Sequence, residues 1–407
     1  MMTERAAEIL SNNGVKDDDM KAGGTIMRYR RLGKTNLMVS EIGFGGEWLE
    51  RHSTDECIAL IKKAGDLGIN ILDCWMSDPK VRSNIGKGIA GHRENWFIQG
   101  HVGSTWQNGQ YVRTRDMNKV PAAFEDLLTR LQTDYIDLGM IHFIDEEKDW
   151  NAAMNGPYIE YVLKNHEEGT IRHIGLSTHN PFIAKKAAET GFIEMILFSV
   201  NPAFDLLPGT ENIEDYFAEE YEEGLGGIDP ARVELYRLCE QNDVGITVMK
   251  GYAGGRLFDA ARSPFGTALT PVQCLHYCLT RPAVASVMVG YDTPEQIEQA
   301  VRYETASDTE KDYASVLANA PKHSFVGGQC TYCGHCKPCP MNIDIAMVNK
   351  YYDLASIQPE VPAALREHYR VLEHHADECI GCQSCEERCP FGVEIAARMQ
   401  KAASLFG

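Results

Sequence analysis

From Ile42 onward the chain alternates short apolar runs with amphipathic stretches, and it does so eight times. The apolar runs are Ile42–Gly45, Asn70–Cys74, Trp96–Val102, Tyr135–His142, Ile171–Thr178, Met195–Asn201, Gly245–Lys250 and Ala285–Gly290. Unbroken apolar runs of this length read as strands buried on both faces, as in a parallel sheet. The amphipathic stretches are Thr54–Leu67, Ser83–Ala90, Val120–Leu131, Ile159–Glu168, Pro181–Thr190, Asp229–Gln241, Pro271–Thr280 and Thr293–Tyr303. Ser53-Thr54-Asp55 and Asp229-Pro230 are helix-start signals. Eight βα units in roughly 260 residues predict an α/β fold of (β/α)8 TIM-barrel type. A doubly wound open sheet is the alternative, and no GxGxxG turn follows the first strand to support it.

A TIM barrel carries its chemistry at the C-terminal ends of its strands. Those ends are Asp73, His101, His142, Ser177-Thr178-His179-Asn180, Asn201, Lys250 and Gly290. A single polar strand end is usually structural, but so many converging on one mouth point to a pocket. Cys74, next to Asp73, is expected on the opposite face of its strand. Trp106 to Arg115, with Tyr111, Arg113 and Arg115, follows the third strand and is placed to reach the pocket. An Arg there would suit an anionic substrate. The segment from Asn201 to Asp229 carries Glu211, Glu214, Asp215, Glu219, Glu220, Glu222 and Glu223. It reads as a solvated acidic lid or helix. Cys274 and Cys278, one helical turn apart, read as core.

The last hundred residues follow another rule. Cys330, Cys333, Cys336 and Cys339-Pro340 form one quartet, and Cys379, Cys382, Cys385 and Cys389-Pro390 form a second. Short CxxC turns also serve structural zinc. Two Pro-terminated quartets are the more specific signature of two [4Fe–4S] clusters, whose irons take Cys thiolates. The Cys-Pro ending resembles bacterial ferredoxins, in which the fourth Cys of each run ligates the other cluster. That resemblance implies one cluster on Cys330, Cys333, Cys336 and Cys389, and another on Cys379, Cys382, Cys385 and Cys339. The first quartet has two residues before its last Cys where the usual run has three. Met341 to Glu378 shows helical rhythm in Ile345, Val348, Tyr352 and Leu354, then in Leu365, Tyr369 and Leu372. It is similar to the helical ferredoxin domains of respiratory iron–sulfur subunits. The clusters carry single electrons, so the remainder should donate, accept or use them.

Met27–Gly46, Gly68–Asp73, Asp134–His142, Gly175–Asn180 and Gly290–Ile297 together resemble the aldo-keto reductase family, in order along the chain. The whole resembles members with a C-terminal ferredoxin domain. The implied units are an N-terminal extension over 1–26, a barrel over 27–305 and a mainly α-helical ferredoxin-like iron–sulfur domain over 306–407. The family uses an Asp–Tyr–Lys–His tetrad, in which Tyr protonates the carbonyl as hydride arrives from a nicotinamide. Asp73 and His142 match, but Asp78 stands at the Tyr position and His101 at the Lys position. The rebuilt site this implies uses His101 or His142 as general acid, held by Asp73 or Asp78. The resemblance places coenzyme contacts at Ser177, Thr178, Asn201, Lys250, Gly290 and Asp292. Asp292 would repel a 2′-phosphate, so NAD(H) is expected ahead of NADP(H) where a nicotinamide is used.

A net charge of −19 argues against nucleic acid and anionic membranes as partners. No apolar run is long enough for a membrane span, and the polar segment Met1–Met27 lacks a signal-peptide core. Thirteen Cys, eight of them in cluster spacing, indicate a reducing cytoplasm rather than a disulfide framework. The reading is a cytoplasmic oxidoreductase acting on a small organic substrate, carbonyl or anionic, with a redox partner protein or coenzyme. Two other classes remain: an electron carrier or redox sensor with a docking barrel, and a lyase or isomerase using His101 and His142.

Overall fold

The structure is a computed structural model that describes residues 27–217, 221–222, 225–325 and 328–407. The N-terminal extension lies outside it, as do Glu219, Glu220 and Glu223 of the acidic segment. A hairpin of β1 (Tyr29–Arg31) and β2 (Met38–Ser40) precedes the barrel. The barrel strands are β3 (Ile42–Gly45), β4 (Ile71–Cys74), β5 (Phe97–Val102), β8 (Ile136–Ile141), β9 (Ile171–Thr178), β10 (Met195–Ser199), β11 (Gly245–Met249) and β12 (Val284–Gly290). All pair in parallel, and β12 pairs with β3 to close the ring.

Strand alternation sorts the side chains. Leu72, Cys74 and Ile98 face the helical layer, and Ile71, Leu138, Met140, Met195, Leu197 and Met288 fill the lumen. Leu32 and Val39 of the β1–β2 region join that lumen cluster and plug one end. Each fully buried aliphatic side chain of this kind contributes roughly 1.5–3 kcal/mol. By the same period of two, Asp73 follows Ile71 and His142 follows Met140 into the lumen. The registers set Asp73 beside Gln99 and His101 beside Met140.

The helices begin by one chemical device. Asp78, Asn180, Asn201, Asp229, Thr270 and Thr293 each accept a backbone N–H two or three residues on, and Pro stands at the first helical position after each. Ser53 and Glu56 form a capping box for Thr54–Asp66. The helix expected over Ser83–Ala90 therefore starts at Pro79, with Asp78 as its cap. Helix Glu147–Met154 and a second hairpin, β6 (Ser104–Gln107) with β7 (Gln110–Arg113), were not signalled by apolar periodicity. Part of the acidic segment forms a tight turn over Ile213–Phe217, with Tyr216 buried beneath it. Cys274 and Cys278 are buried core.

The C-terminal region is helical, with Ile345–Ser356 packed on Ile395–Phe406 and Tyr369 stacked on Phe406 at 4.1 Å. It leans on the outer helices of the barrel. Lys350 pairs with Glu240 at 2.7 Å, and Asp353 with Arg237 at 3.5 Å. Arg281 donates to Thr331 O at 2.5 Å, inside the first Cys loop. No helix among the described residues is long and apolar enough to cross a membrane.

Helices Pro79–Ile89 and Val120–Leu131 approach at Gly86, where a Cβ would stand 2.1 Å from Arg130 O. Gly86→Ala should lower stability by at least about 1 kcal/mol, despite a helix-propensity gain of about that size. Urea or thermal unfolding reads this directly, and an unchanged or raised midpoint contradicts the close approach.

Candidate active site and cluster cavities

Four side chains from four different segments meet at the barrel mouth. Asp73 Oδ1 lies 2.9 Å from His101 Nε2 and accepts Gln99 Nε2 at 2.8 Å. Gln99 in turn accepts Thr247 Oγ1 at 2.7 Å across the lumen. His101 Nδ1 lies 2.8 Å from His142 Nδ1, and His142 Nε2 lies 2.7 Å from Tyr111 OH. Asp73, His101 and His142 are buried, whereas Tyr111 is 37% exposed. The result is a continuous chain from open mouth to lumen.

The chemistry of each atom fixes the direction of that chain. A carboxylate only accepts, so His101 Nε2 donates to Asp73. In a neutral His101, Nδ1 then accepts, and His142 Nδ1 must donate to it. His142 Nε2 accepts in turn, and the Tyr111 hydroxyl donates. A single added proton on His101 reverses the sequence. His101 then donates through Nδ1, His142 through Nε2, and the Tyr111 hydrogen is freed toward the mouth. Burial, then the neighbouring His101, then Arg115 and Arg113, hold His142 well below its ordinary range. It therefore passes protons without storing charge. Burial raises Tyr111 above its ordinary value, so it is a neutral phenol at pH 7.

Tyr111 reaches His142 because β6 and β7 fold back over the mouth. Ser104 Oγ donates to Trp75 O and Ser77 Oγ to Thr105 O, which ties the hairpin to the loop after β4. Trp75 meets the Tyr111 ring edge-on at 5.2 Å and stacks along His142 at 6.2 Å. Arg113 and Arg115 do not project into the pocket as free cations. Arg113 donates to Phe143 O, Arg115 to His142 O, and both pair with Asp149. They brace the backbone that carries His142.

Asp78 lies outside the chain. Its Oδ1 accepts Lys80 N at 2.7 Å, so its carboxylate serves the helix cap. Ser177 Oγ accepts Phe143 N at 2.8 Å. Thr178 Oγ1 donates to Asp145 and accepts Asn180 N. Asn201 donates to Lys250 O and accepts Phe204 N, using both ends of its amide. Gly290 carries the Trp48 indole, whose ring lies 3.2 Å from where a Cβ would be. Asp292 is flanked by Arg51 at 3.7 Å, which offsets its charge toward any phosphate, and lies 3.4 Å from the His52 ring. Of the hydroxyl and amide groups expected at a nicotinamide, the Ser177 hydroxyl hydrogen and one Asn201 amide hydrogen are uncommitted, and the Thr178 hydrogen is engaged by Asp145. Ser177 and Asn201 therefore still offer donors to a carboxamide, and Thr178 does not.

The cysteines gather around two cavities. One is lined by Cys330, Cys333, Cys336 and Cys389. The other is lined by Cys379, Cys382, Cys385 and Cys339. Each therefore draws three Cys from one run and the last Cys from the other. Arg388 clips the runs together by donating to Cys336 O and Pro338 O. No three His, Cys, Asp or Glu side chains among the described residues are drawn to the spacing of a single metal ion. Two quartets of thiols, each completed by the last Cys of the other run, suit two clusters better than zinc.

Comparison with known proteins agrees. The aldo/keto reductase family profile matches residues 41–268, and a 4Fe-4S dicluster domain matches 327–393. The chain belongs to the aldo/keto reductase family. It is an oxidoreductase with a C-terminal 4Fe-4S dicluster domain. The oxidoreductase YqkF of Bacillus subtilis is 26% identical over 312 residues, covering 74% of this chain and 98% of that protein. L-galactose dehydrogenase of Arabidopsis thaliana is 25% identical over 301 residues, covering 68% and 88%. The holo form of aldo-keto reductase AKR11C1 from Bacillus halodurans shares the fold with a TM-score of 0.54 at 24% identity, covering 70% of this chain and 94% of that one.

The crossed cavities give a paired expectation. Anaerobically prepared protein should hold about eight iron atoms per chain. Cys339→Ser should lose the same paramagnetic resonance signal as Cys382→Ser, and Cys389→Ser the same signal as Cys333→Ser. Loss pairing within each sequence run, or zinc in place of iron, would overturn the assignment.

Proposed function

We propose that the chain interconverts a small hydroxy compound and its oxo counterpart at the barrel mouth, with protons passed along Tyr111, His142, His101 and Asp73. The relay is the observation that carries this reading. It supplies a phenol at the mouth although the position implied for the tetrad Tyr holds Asp78. When bound, [4Fe–4S] clusters take up or supply single electrons. Two clusters match the two electrons by which an alcohol and a carbonyl differ. Cys330, Cys333, Cys336 and Cys389 would hold one, and Cys379, Cys382, Cys385 and Cys339 the other.

In the oxidising direction Tyr111 accepts the substrate hydroxyl proton as its own proton moves to His142, while the carbon-bound hydrogen would leave with its electron pair to a bound hydride acceptor of the nicotinamide class. His142 passes its Nδ1 proton to His101, and Asp73 stabilises the imidazolium that results. In the reducing direction the same atoms run outward, and Tyr111 donates to the oxo oxygen. Ser177 and Asn201 each keep one hydrogen for such an acceptor, whereas the Thr178 hydroxyl is spent on Asp145 and Asn180. The spent Thr178 hydroxyl favours a second reading, an acid–base isomerisation or dehydration at the relay with no electron flow.

An anaerobic assay with reduced methyl viologen as donor separates the two. Viologen oxidation should depend on an added oxo compound. Tyr111→Phe should then slow it about a hundredfold or more, with iron content unchanged. Turnover without viologen oxidation would establish the isomerase reading, and full activity in Tyr111→Phe would remove the relay.

A further inference from the structure

His179 and Lys250 stand at the same mouth and take no part in the relay. His179 Nδ1 donates to Asp145 Oδ2 at 2.9 Å. Asp145 is itself fixed, since its Oδ1 accepts Thr178 Oγ1 at 2.9 Å and His179 N at 2.7 Å, and its carbonyl accepts Asn180 Nδ2 at 2.8 Å. An acceptor on Nδ1 leaves the His179 lone pair on Nε2. That atom has no protein partner among the described residues and is not sealed from solvent. Burial lowers His179 below its ordinary value and outweighs the pull of Asp145, with Lys250 and Arg232 adding to the fall. The ring is therefore a neutral acceptor.

Lys250 follows β11 with a left-handed backbone, φ 58°. Its carbonyl is held by Asn201 Nδ2 at 2.9 Å and by Ala253 N at 2.8 Å. Its ammonium lies 5.5 Å from the Phe217 ring, and no carboxylate among the described residues pairs with it. One turn touches both groups: Tyr216 OH donates to His179 O at 3.3 Å, and its neighbour Phe217 lies under Lys250. A cation without a carboxylate partner among the described residues and a fixed neutral acceptor, both touching the turn at Tyr216 and Phe217, match a ligand with an anionic oxygen and a hydroxyl. Phe143 separates the pair from the relay, with its ring 6.1 Å from His142 and 5.3 Å from His179. The hydroxyl bound here is therefore not the reacting one.

We infer that Lys250 and His179 form a subsite for the carboxylate end of a polyhydroxy acid, of the aldonate or oxo-aldonate class. Lys250 pairs with the carboxylate, His179 Nε2 accepts a neighbouring hydroxyl, and the far hydroxyl or oxo group reaches Tyr111. The inference rests on the reading that the mouth is the substrate site, and it goes further in naming the substrate class.

Binding without turnover tests it. The cluster-loaded full chain is titrated calorimetrically with C4–C6 aldonates and with the corresponding amides. At least one aldonate should bind about tenfold or more tighter than its amide. Lys250→Met should erase that preference and Lys250→Arg should keep it, which also shows that the position tolerates change. His179→Gln should weaken the aldonate and leave the 2-deoxy acid unaffected. The inference falls if no aldonate is preferred to its amide, or if the preference survives Lys250→Met. Because the readout is affinity, its failure leaves the viologen assay of the relay standing, and failure of that assay leaves this one readable.

Discussion

The carboxylate of Asp73 is the fixed point of the mouth. It sits buried in the lumen, where an unpaired charge is costly, and it is tolerated because Gln99 and His101 both donate to it. Leaving such a buried carboxylate short of a donor costs roughly 1–3 kcal/mol or more. Thr247 locks Gln99 from the far side of the barrel, so the anchor is braced across the lumen. With Asp73 held, the tautomer of His101 is set, then that of His142, and then the direction of the Tyr111 hydroxyl. The order of the mouth is built outward from one buried charge.

The 4Fe-4S dicluster domain attaches elsewhere. Its contacts fall on the outer barrel helices, through Glu240–Lys350, Arg237–Asp353 and Arg281 to Thr331. Between those helices and the strands lies a buried polar cluster. Asp205, just past β10, accepts the hydroxyls of Tyr236 and Tyr277 and pairs with Arg232 at 3.3 Å. The ring of Tyr277 meets Tyr313 at 5.2 Å, and Tyr313 OH reaches Thr331 O. Burial pushes the Asp205 carboxyl up, and Arg232 pulls it back. Packed aromatic and charged groups thus join the first Cys loop to a strand end of the barrel without a gap.

Much of this was legible in the chain because its signals are local or periodic. Eight apolar runs with capping side chains and Pro between them dictate the barrel. The period of two sends Asp73, His101 and His142 inward together. CxxC spacing with a closing Cys-Pro is specific enough to anticipate two cavities. Tyr111 was harder, because its role depends on a hairpin rather than on a strand end. The signal existed: Asn108-Gly109 is a tight-hairpin dipeptide, and both residues take positive φ in the turn. The opposite error arose at Arg113 and Arg115, whose charge looked available but is consumed by Asp149 and two carbonyls. Asp78 looked catalytic by position and is a cap by geometry. Commitments of this kind come from partners far away in sequence, which spacing cannot show.

The account turns on the direction of the proton chain, and nitrogen-15 NMR of the imidazoles measures it directly. At pH 8, His142 should carry its proton on Nδ1 and a bare Nε2. It should stay singly protonated as the pH is lowered through 6.5, because burial and its cationic neighbours oppose a second charge. Tyr111→Phe should move the Nε2 resonance and leave the His142 ring neutral. A His142 that is doubly protonated near neutral pH would break the chain at its middle and contradict the relay.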